Sequence, residues 1–231
     1  MGMESVFDRE KFNRFVLDHN VVGFFPEPLT LASGRKSHHY VSWRSVAADV
    51  YATDRLTDFI ISFVLGTGLR PDSFFAVPEG ATKIGVLLQY KWAKQSPSYG
   101  PGSHDLSMGR GKPKDHGNPK DKYFLGLPRG RTVILEDTTT TGESLLNTAR
   151  KLSEAGVNVV GAVVLTNRNE RRDDGKTVQE AFEEKEIGFH AMSNILDLIP
   201  DVFAKVRPGA EIGRSLEEYF SKYGERKLKL Q

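Results

Sequence analysis

Apolar residues fall at helical spacing in two early stretches of the chain. Over 8–20, Phe12, Phe15 and Val16, with His19, line one face, and Asp8 stands where an N-cap belongs, so the spacing predicts a helix. Over 53–65, Leu56, Phe59, Ile60 and Phe63 repeat that pattern, and Gly66 and Gly68 follow as stop signals. Two short extended pieces, about 29–31 and 40–43, lie between them, separated by the polar turn 33–37.

Beyond residue 70 the pattern becomes one of alternating blocks. Largely unbroken apolar runs occur at 74–77, 133–135 and 157–165, the last interrupted by Asn158, with a further candidate at 187–192. Helical stretches at 82–94 and 143–155 separate them, the second ended by Gly156. Strands with two apolar faces, interleaved with helices, predict an α/β fold whose parallel sheet is covered on both sides. Glu180, Glu183, Glu184 and Glu186 read as the solvated face of a helix, and a terminal helix is expected over 208–223. One segment breaks this rhythm: 95–129 is rich in Gly, Pro, Ser, Lys and Asp, with almost no apolar periodicity. A loop of that length is either a functional lid or a solvated insertion.

Composition changes this picture little. The 231 residues are 39% apolar and 27% charged, ordinary for a globular protein, and the length suits one large domain. A net charge of +2 does not by itself argue for nucleic acid. No apolar run reaches the roughly 20 residues of a membrane helix, and the first dozen residues are too polar for a signal peptide, so a cytoplasmic location is expected. Without cysteine there is no disulfide framework and no thiolate metal site.

The candidate chemistry concentrates where the strand at 133–135 ends, in VILEDTTTTGES at 133–144. Ligands of open α/β sheets bind beyond the carboxyl ends of strands. Thr138, Thr139, Thr140, Thr141, Gly142, Glu143 and Ser144 would offer amides and hydroxyls at a helix N-terminus, a ready anion site. The carboxylates of Glu136 and Asp137 would repel that anion unless they serve sugar hydroxyls or a magnesium shell. A phosphorylated sugar satisfies both halves; the alternative is an acidic helix cap. The string resembles the phosphoribosyl pyrophosphate signature of type I phosphoribosyltransferases, and no lysine follows it as in a Walker loop.

Further segments, in order, resemble the orotate phosphoribosyltransferase family. LTLASGRKS at 29–37 is similar to its N-terminal segment, and VPEGAT at 77–82 stands where the family has its pyrophosphate-binding turn. RGKPKDHG at 110–117 resembles the flexible catalytic loop, and TNRNER at 166–171 resembles the segment carrying the orotate-contacting arginine. The resemblance spans about 12–199. It implies the type I phosphoribosyltransferase fold as one domain over 1–231, with a hood at about 1–45, a core at about 46–200 and a C-terminal helix at about 208–223. It also implies a homodimer whose mobile loop reaches the neighbouring site. No nucleic-acid or membrane partner is expected.

The implied reaction passes ribose 5-phosphate from phosphoribosyl pyrophosphate to orotate, with Mg2+ carried mainly by the pyrophosphate and no direct protein ligand. By resemblance, Asp137, Arg110, Lys114 and His116 are catalytic. Lys112, Glu79 and Gly80 join residues 136–144 around the donor, while Arg168, Thr140, Tyr40 and Lys36 hold orotate. Gly109, Gly111 and Gly117 would let the loop open and close. The chain departs from the family at Ala32, Ala81 and Gly111, each removing a cation from a polyanion site, with Lys36, Lys83 and Lys112 as the available substitutes. It departs again at His38 and His39, in the stretch with Tyr40 and Val41 where the family has an aromatic pair.

Simpler readings stand beside these. Arg35 and Lys36 can be a solvated turn, Arg168 can be salt-bridged to Glu170 or Asp173, and 170–174 reads as a surface loop. His38 and His39 point to opposite faces of a strand, which argues against a metal pair. Transfer to another base, or a non-catalytic sensor of the same donor, are the competing functions.

Overall fold

The computed structural model describes residues 6–31, 33–116 and 122–230. Ala32 and Gly117, two positions singled out above, lie outside the described residues.

Helix α1 spans Arg9–Asp18, and its N-cap Asp8 accepts from the Lys11 N–H at 3.0 Å, as the spacing predicts. Its buried face of Phe12, Phe15 and Val16 packs on the fully buried Trp43 and on the side chain of Phe59. Strands β1 (Val22–Thr30) and β2 (Lys36–Val41) form an antiparallel hairpin, longer than the two extended pieces expected. Lys36 and Ser37 therefore belong to a strand and not to the turn.

Helix α2 runs Val50–Thr67. The Asp49 carboxylate starts it early by capping the Ala52 N–H at 2.6 Å, and Gly66 is carried inside the helix. Gly68, at φ +74°, is the residue that ends it.

The central sheet has four parallel strands in the order β3 (Ser73–Ala76), β6 (Arg131–Thr139), β7 (Asn158–Asn167) and β8 (Gly188–Asn194). Its strands obey a two-residue period with both faces apolar. Phe74, Val133, Leu135, Val163 and Leu165 pack against one layer, which includes α2, α3 (Thr82–Gln95), α6 (Ile195–Val206) and α7 (Ala210–Tyr223). Phe75, Ile134, Ala162 and Val164 pack against α4 (Glu143–Glu154) and α5 (Val178–Glu183) on the other. This two-sided burial is why the strands read as largely unbroken apolar runs.

The sequence pattern does not reveal α6 or the short strands of the 95–129 segment. Helix α6 is hidden because Pro200 lies inside it and Pro normally breaks helices. Within 95–129, Met108–Gly109 (β4) and Phe124–Leu125 (β5) pair as a short antiparallel ribbon. Among the described residues no helix is long and apolar enough to cross a membrane.

Candidate active site

Strand β6 continues past its apolar run. Glu136, Thr138 and Thr139 pair with Val164, Thr166 and Asn167 of β7, so the acidic pair and two of the threonines are strand residues. The phosphate-cradle geometry narrows to Thr140, Thr141 and Gly142, followed by Glu143 and Ser144 as the exposed first turn of α4. Unpaired amides of that turn point outward, where the helix dipole favours an anion. Gly142 has φ +72°, and a Cβ there would lie 2.8 Å from Val178 Cγ1, so the turn admits no side chain.

Successive strand residues face opposite ways, and this separates the two acids. Asp137 lies against the 77–80 turn: a Cβ on Gly80 would come within 2.5 Å of its Oδ1. That turn leaves β3 with the Val77 N–H donating to Leu135 O at 2.8 Å, and its Pro78–Glu79 peptide is cis. Burial raises the Asp137 pKa, opposed by its own N–H, the Thr138 N–H and the Arg44 guanidinium. Glu136 is 6% exposed and its Oε2 has no partner among the described residues. Burial, followed by the neighbouring Asp137 charge, pushes its pKa up to about 8.

The raised value fixes a sign. The contribution of Glu136 is fully present below the ordinary carboxylate range and is lost as pH climbs through about 8. The melting temperature of the free protein should therefore fall between about pH 5 and about pH 9, and Glu136→Gln should flatten that slope. Thermal unfolding followed by circular dichroism checks both, and an equally steep slope in the variant would remove Glu136 as its source.

The ribbon brings distant sequence to this place. Beyond its paired residues, the Arg110 N–H donates to Tyr123 O and the Lys114 N–H to Lys122 O, both at 2.9 Å. Arg110, Lys112, Lys114 and His116 are thereby carried on one arm. The arm sits on the 77–80 turn: a Cβ on Gly109 would lie 2.7 Å from Pro78 Cγ, and one on Gly111 2.2 Å from Glu79 Oε1. At Gly111 the nearest atoms are those of the exposed Glu79 side chain, which places that carboxylate directly beneath the arm. The cation-bearing arm, the turn and Asp137 thus form one continuous surface.

Arg168 follows β7, and its N–H donates to Thr139 O at 2.9 Å. Its side chain is 2% exposed and its Nε donates to Glu170 Oε1 at 2.8 Å. The salt bridge considered as the simpler account therefore exists, and a guanidinium fork fully open to a ligand does not. Nη2 is buried without a partner among the described residues. Glu170, fully buried, also accepts from Arg35 Nη1 at 2.9 Å and the Tyr219 hydroxyl at 2.8 Å. The surface-loop reading of Glu170 is corrected here, and the simpler alternative for Arg35 falls with it. Arg35 is an anchor and not a solvated turn, and Glu170 is the centre of a buried network and not part of a surface loop.

The other expected residues are less gathered. Lys36 is exposed on β2, Lys83 is exposed on α3, and Tyr40 packs partly buried against the apolar core. His38 and His39 do face opposite ways: His38 Nδ1 lies 2.9 Å from Phe25 O, while His39 is fully buried. Among the described residues no group of three His, Asp or Glu is arranged to hold a metal. Sequence reasoning missed Arg172, whose Nη1 donates to the Thr141 carbonyl and whose Nη2 lies 3.9 Å from Glu143. It also missed Arg44 beside Asp137. The one available signal for Arg172 was a cation just past the TNRNER segment.

No family model matches the chain. In sequence it is similar to the orotate phosphoribosyltransferase of Bradyrhizobium diazoefficiens, 32% identical over 153 residues, covering 63% of this chain and 76% of that one. The orotate phosphoribosyltransferase of Pyrococcus abyssi is 27% identical over 162 residues, covering 70% and 82%. In structure it is similar to the orotate phosphoribosyltransferase of Francisella tularensis, with a TM-score of 0.64 at 18% identity, covering 93% of this chain and 99% of that one. The adenine phosphoribosyltransferase of Leishmania donovani shares the fold with a TM-score of 0.52 at 13% identity and 84% coverage of each chain.

Proposed function

Because the chain belongs to the orotate phosphoribosyltransferase family, we propose that this site transfers ribose 5-phosphate from phosphoribosyl pyrophosphate to orotate, releasing pyrophosphate and forming orotidine 5'-monophosphate. The observation that carries the reading is the meeting of the lysine-rich ribbon, the 77–80 turn and Asp137 at the carboxyl end of the sheet. One polyanion bearing a diol accounts for all three.

In this reading Thr140, Thr141, Gly142, Glu143 and Ser144 take the 5-phosphate through backbone amides and hydroxyls, and Arg172 steadies the turn from behind. Glu136 and Asp137, with Thr138 and Thr139 beside them, meet the ribose hydroxyls; Glu136 Oε2, without a partner among the described residues, fits a hydroxyl donor or a metal-bound water. Glu79 and Gly80 form the pyrophosphate turn. Arg110, Lys112, Lys114 and His116 close over the leaving group, balancing charge that grows as the glycosidic bond breaks. Closure also keeps water from an oxocarbenium-like centre. Magnesium, when bound with the pyrophosphate, offsets further charge.

Arg168 provides the cation for the orotate carboxylate. Glu170 accepts from both Arg35 and Arg168, and Arg35 is paired again by Asp173 at 2.9 Å, so Glu170 divides its charge between two guanidiniums while Arg168 has it as its one carboxylate among the described residues. Tyr40, Thr140 and Lys36 complete the base side. We further propose a single catalytic domain, acting as a homodimer whose ribbon reaches the partner site.

The donor half has its own test. Sugar hydroxyls bonded to Glu136 favour its ionised form, so donor binding near pH 7 should release close to one proton per site, because the free carboxyl titrates at about 8. Calorimetry in buffers of differing ionisation enthalpy reads that release directly. A binding heat independent of buffer would contradict the role given to Glu136.

A further inference from the structure

We propose that Tyr219, on helix α7, is a positioning residue for Arg168. Its hydroxyl and Arg35 together fix one oxygen of Glu170, and the other oxygen aims the Arg168 guanidinium. The proposal rests on the assignment of Arg168 to the base, and it makes the C-terminal helix part of the base side of the site.

Glu170 is fully buried, and its two oxygens have separate duties. Oε2 accepts from the Tyr219 hydroxyl at 2.8 Å and from Arg35 Nη1 at 2.9 Å. Oε1 accepts from Arg168 Nε at 2.8 Å. Arg168 is 2% exposed, and its Nη2 is buried without a partner among the described residues. The guanidinium is planar and rigid, so a hold at Nε decides where its two Nη groups face. That hold is as firm as the carboxylate that makes it, and the two donors on Oε2 oppose rotation of the Glu170 carboxyl.

Tyr219 and Tyr223 lie one turn apart on α7, with ring centroids 5.1 Å apart. The first reaches Glu170, and the second lies under the Arg35 guanidinium, whose Cζ is 4.7 Å from the ring centroid. Arg35 Nη2 donates in addition to the Arg171 carbonyl at 2.8 Å and to Asp173 at 2.9 Å. Past the helix, the Arg171 N–H donates to Tyr223 O at 2.7 Å and the Glu225 N–H to Asn169 O at 2.8 Å. The Asn169 side chain adds a bond to Glu225 Oε2 at 2.9 Å. The segment 169–171, next to Arg168, is therefore tied to α7 and its continuation by backbone as well as by side chain. Burial, and then the Glu170 charge, hold the Tyr219 pKa above its usual value, so the phenol remains a donor.

The family resemblance over 12–199 ends before α7 and gives that helix no part in the site. Tyr219 enters it through geometry, 49 residues from Glu170 in the chain.

Tyr219→Phe in the full chain removes one hydroxyl and keeps the ring against His39 and Phe220. It should raise KM for orotate about tenfold and leave KM for phosphoribosyl pyrophosphate within about twofold. A 1H–15N correlation of the arginine side chains follows Arg168 without any substrate, its Nε–H assigned by loss in Arg168→Lys. Hydrogen exchange at that Nε–H should quicken about tenfold in Tyr219→Phe. An unchanged orotate KM, or an unchanged exchange rate, in the folded variant would overturn the proposal, whatever the fall in melting temperature. If Tyr219→Phe fails to fold, Arg35→Lys, which keeps the charge but loses the fork, takes both measurements with the same expectations. Failure of the unmodified chain to consume orotate would count against the assigned base, while the exchange rate would still decide whether the donors on Glu170 fix Arg168.

Discussion

Lys114→Ala should lower kcat by about 10²–10³-fold while changing the orotate dissociation constant by no more than about threefold. Lys114 sits on the ribbon arm, tied to Lys122 by its backbone N–H at 2.9 Å, above a turn that presents Glu79 and lies against Asp137. A cation in that place meets the anionic pyrophosphate already in the ground state, and meets it more strongly as the bond breaks. It matters most when the pyrophosphate leaves and its charge rises. Single-turnover kinetics with orotate binding measured separately would divide the two effects. Equal losses in both would mean that the ribbon binds substrate uniformly and has no special role in the transition state.

Glu170→Ala should cost about 3–5 kcal/mol of stability, on the order of 10 °C in melting temperature. The Glu170 carboxylate is fully buried and accepts from Arg168, Arg35 and Tyr219. Removing it leaves buried guanidinium charge uncompensated and a phenol without its acceptor. Denaturant titration measures the loss, and a change below about 1 kcal/mol would show that water or repacking replaces the carboxylate. The same network explains how a segment before β2, the end of β7 and helix α7 converge beneath the proposed base pocket.

Much of this was legible because local chemistry repeated the same message. The apolar runs at 133–135 and 157–165 announced strands buried on both faces, and Asp8 and Gly156 marked helix ends that the structure retains. The order of VPEGAT, RGKPKDHG, VILEDTTTTGES and TNRNER carried the family. What the sequence hid was orientation and distance. Nothing in adjacent letters says that Asp137 faces Gly80 or that Glu79 lies beneath Gly111. Nor does spacing show that Arg168 and Arg35, over a hundred residues apart in the chain, share one carboxylate. Pro200 concealed α6 because the rule against proline in helices is statistical, and burial of Leu196, Leu198, Ile199 and Val202 overrides it.

The central claim is the identity of the base, and a panel assay tests it most directly. Orotate, uracil, adenine and hypoxanthine are each offered with phosphoribosyl pyrophosphate and magnesium, and nucleotide formation is measured. An anionic pyrimidine suits a guanidinium such as Arg168, so orotate should be consumed with release of pyrophosphate while the other bases react at least about 10³-fold more slowly. Preferred turnover of a purine, or of uracil, would contradict the account.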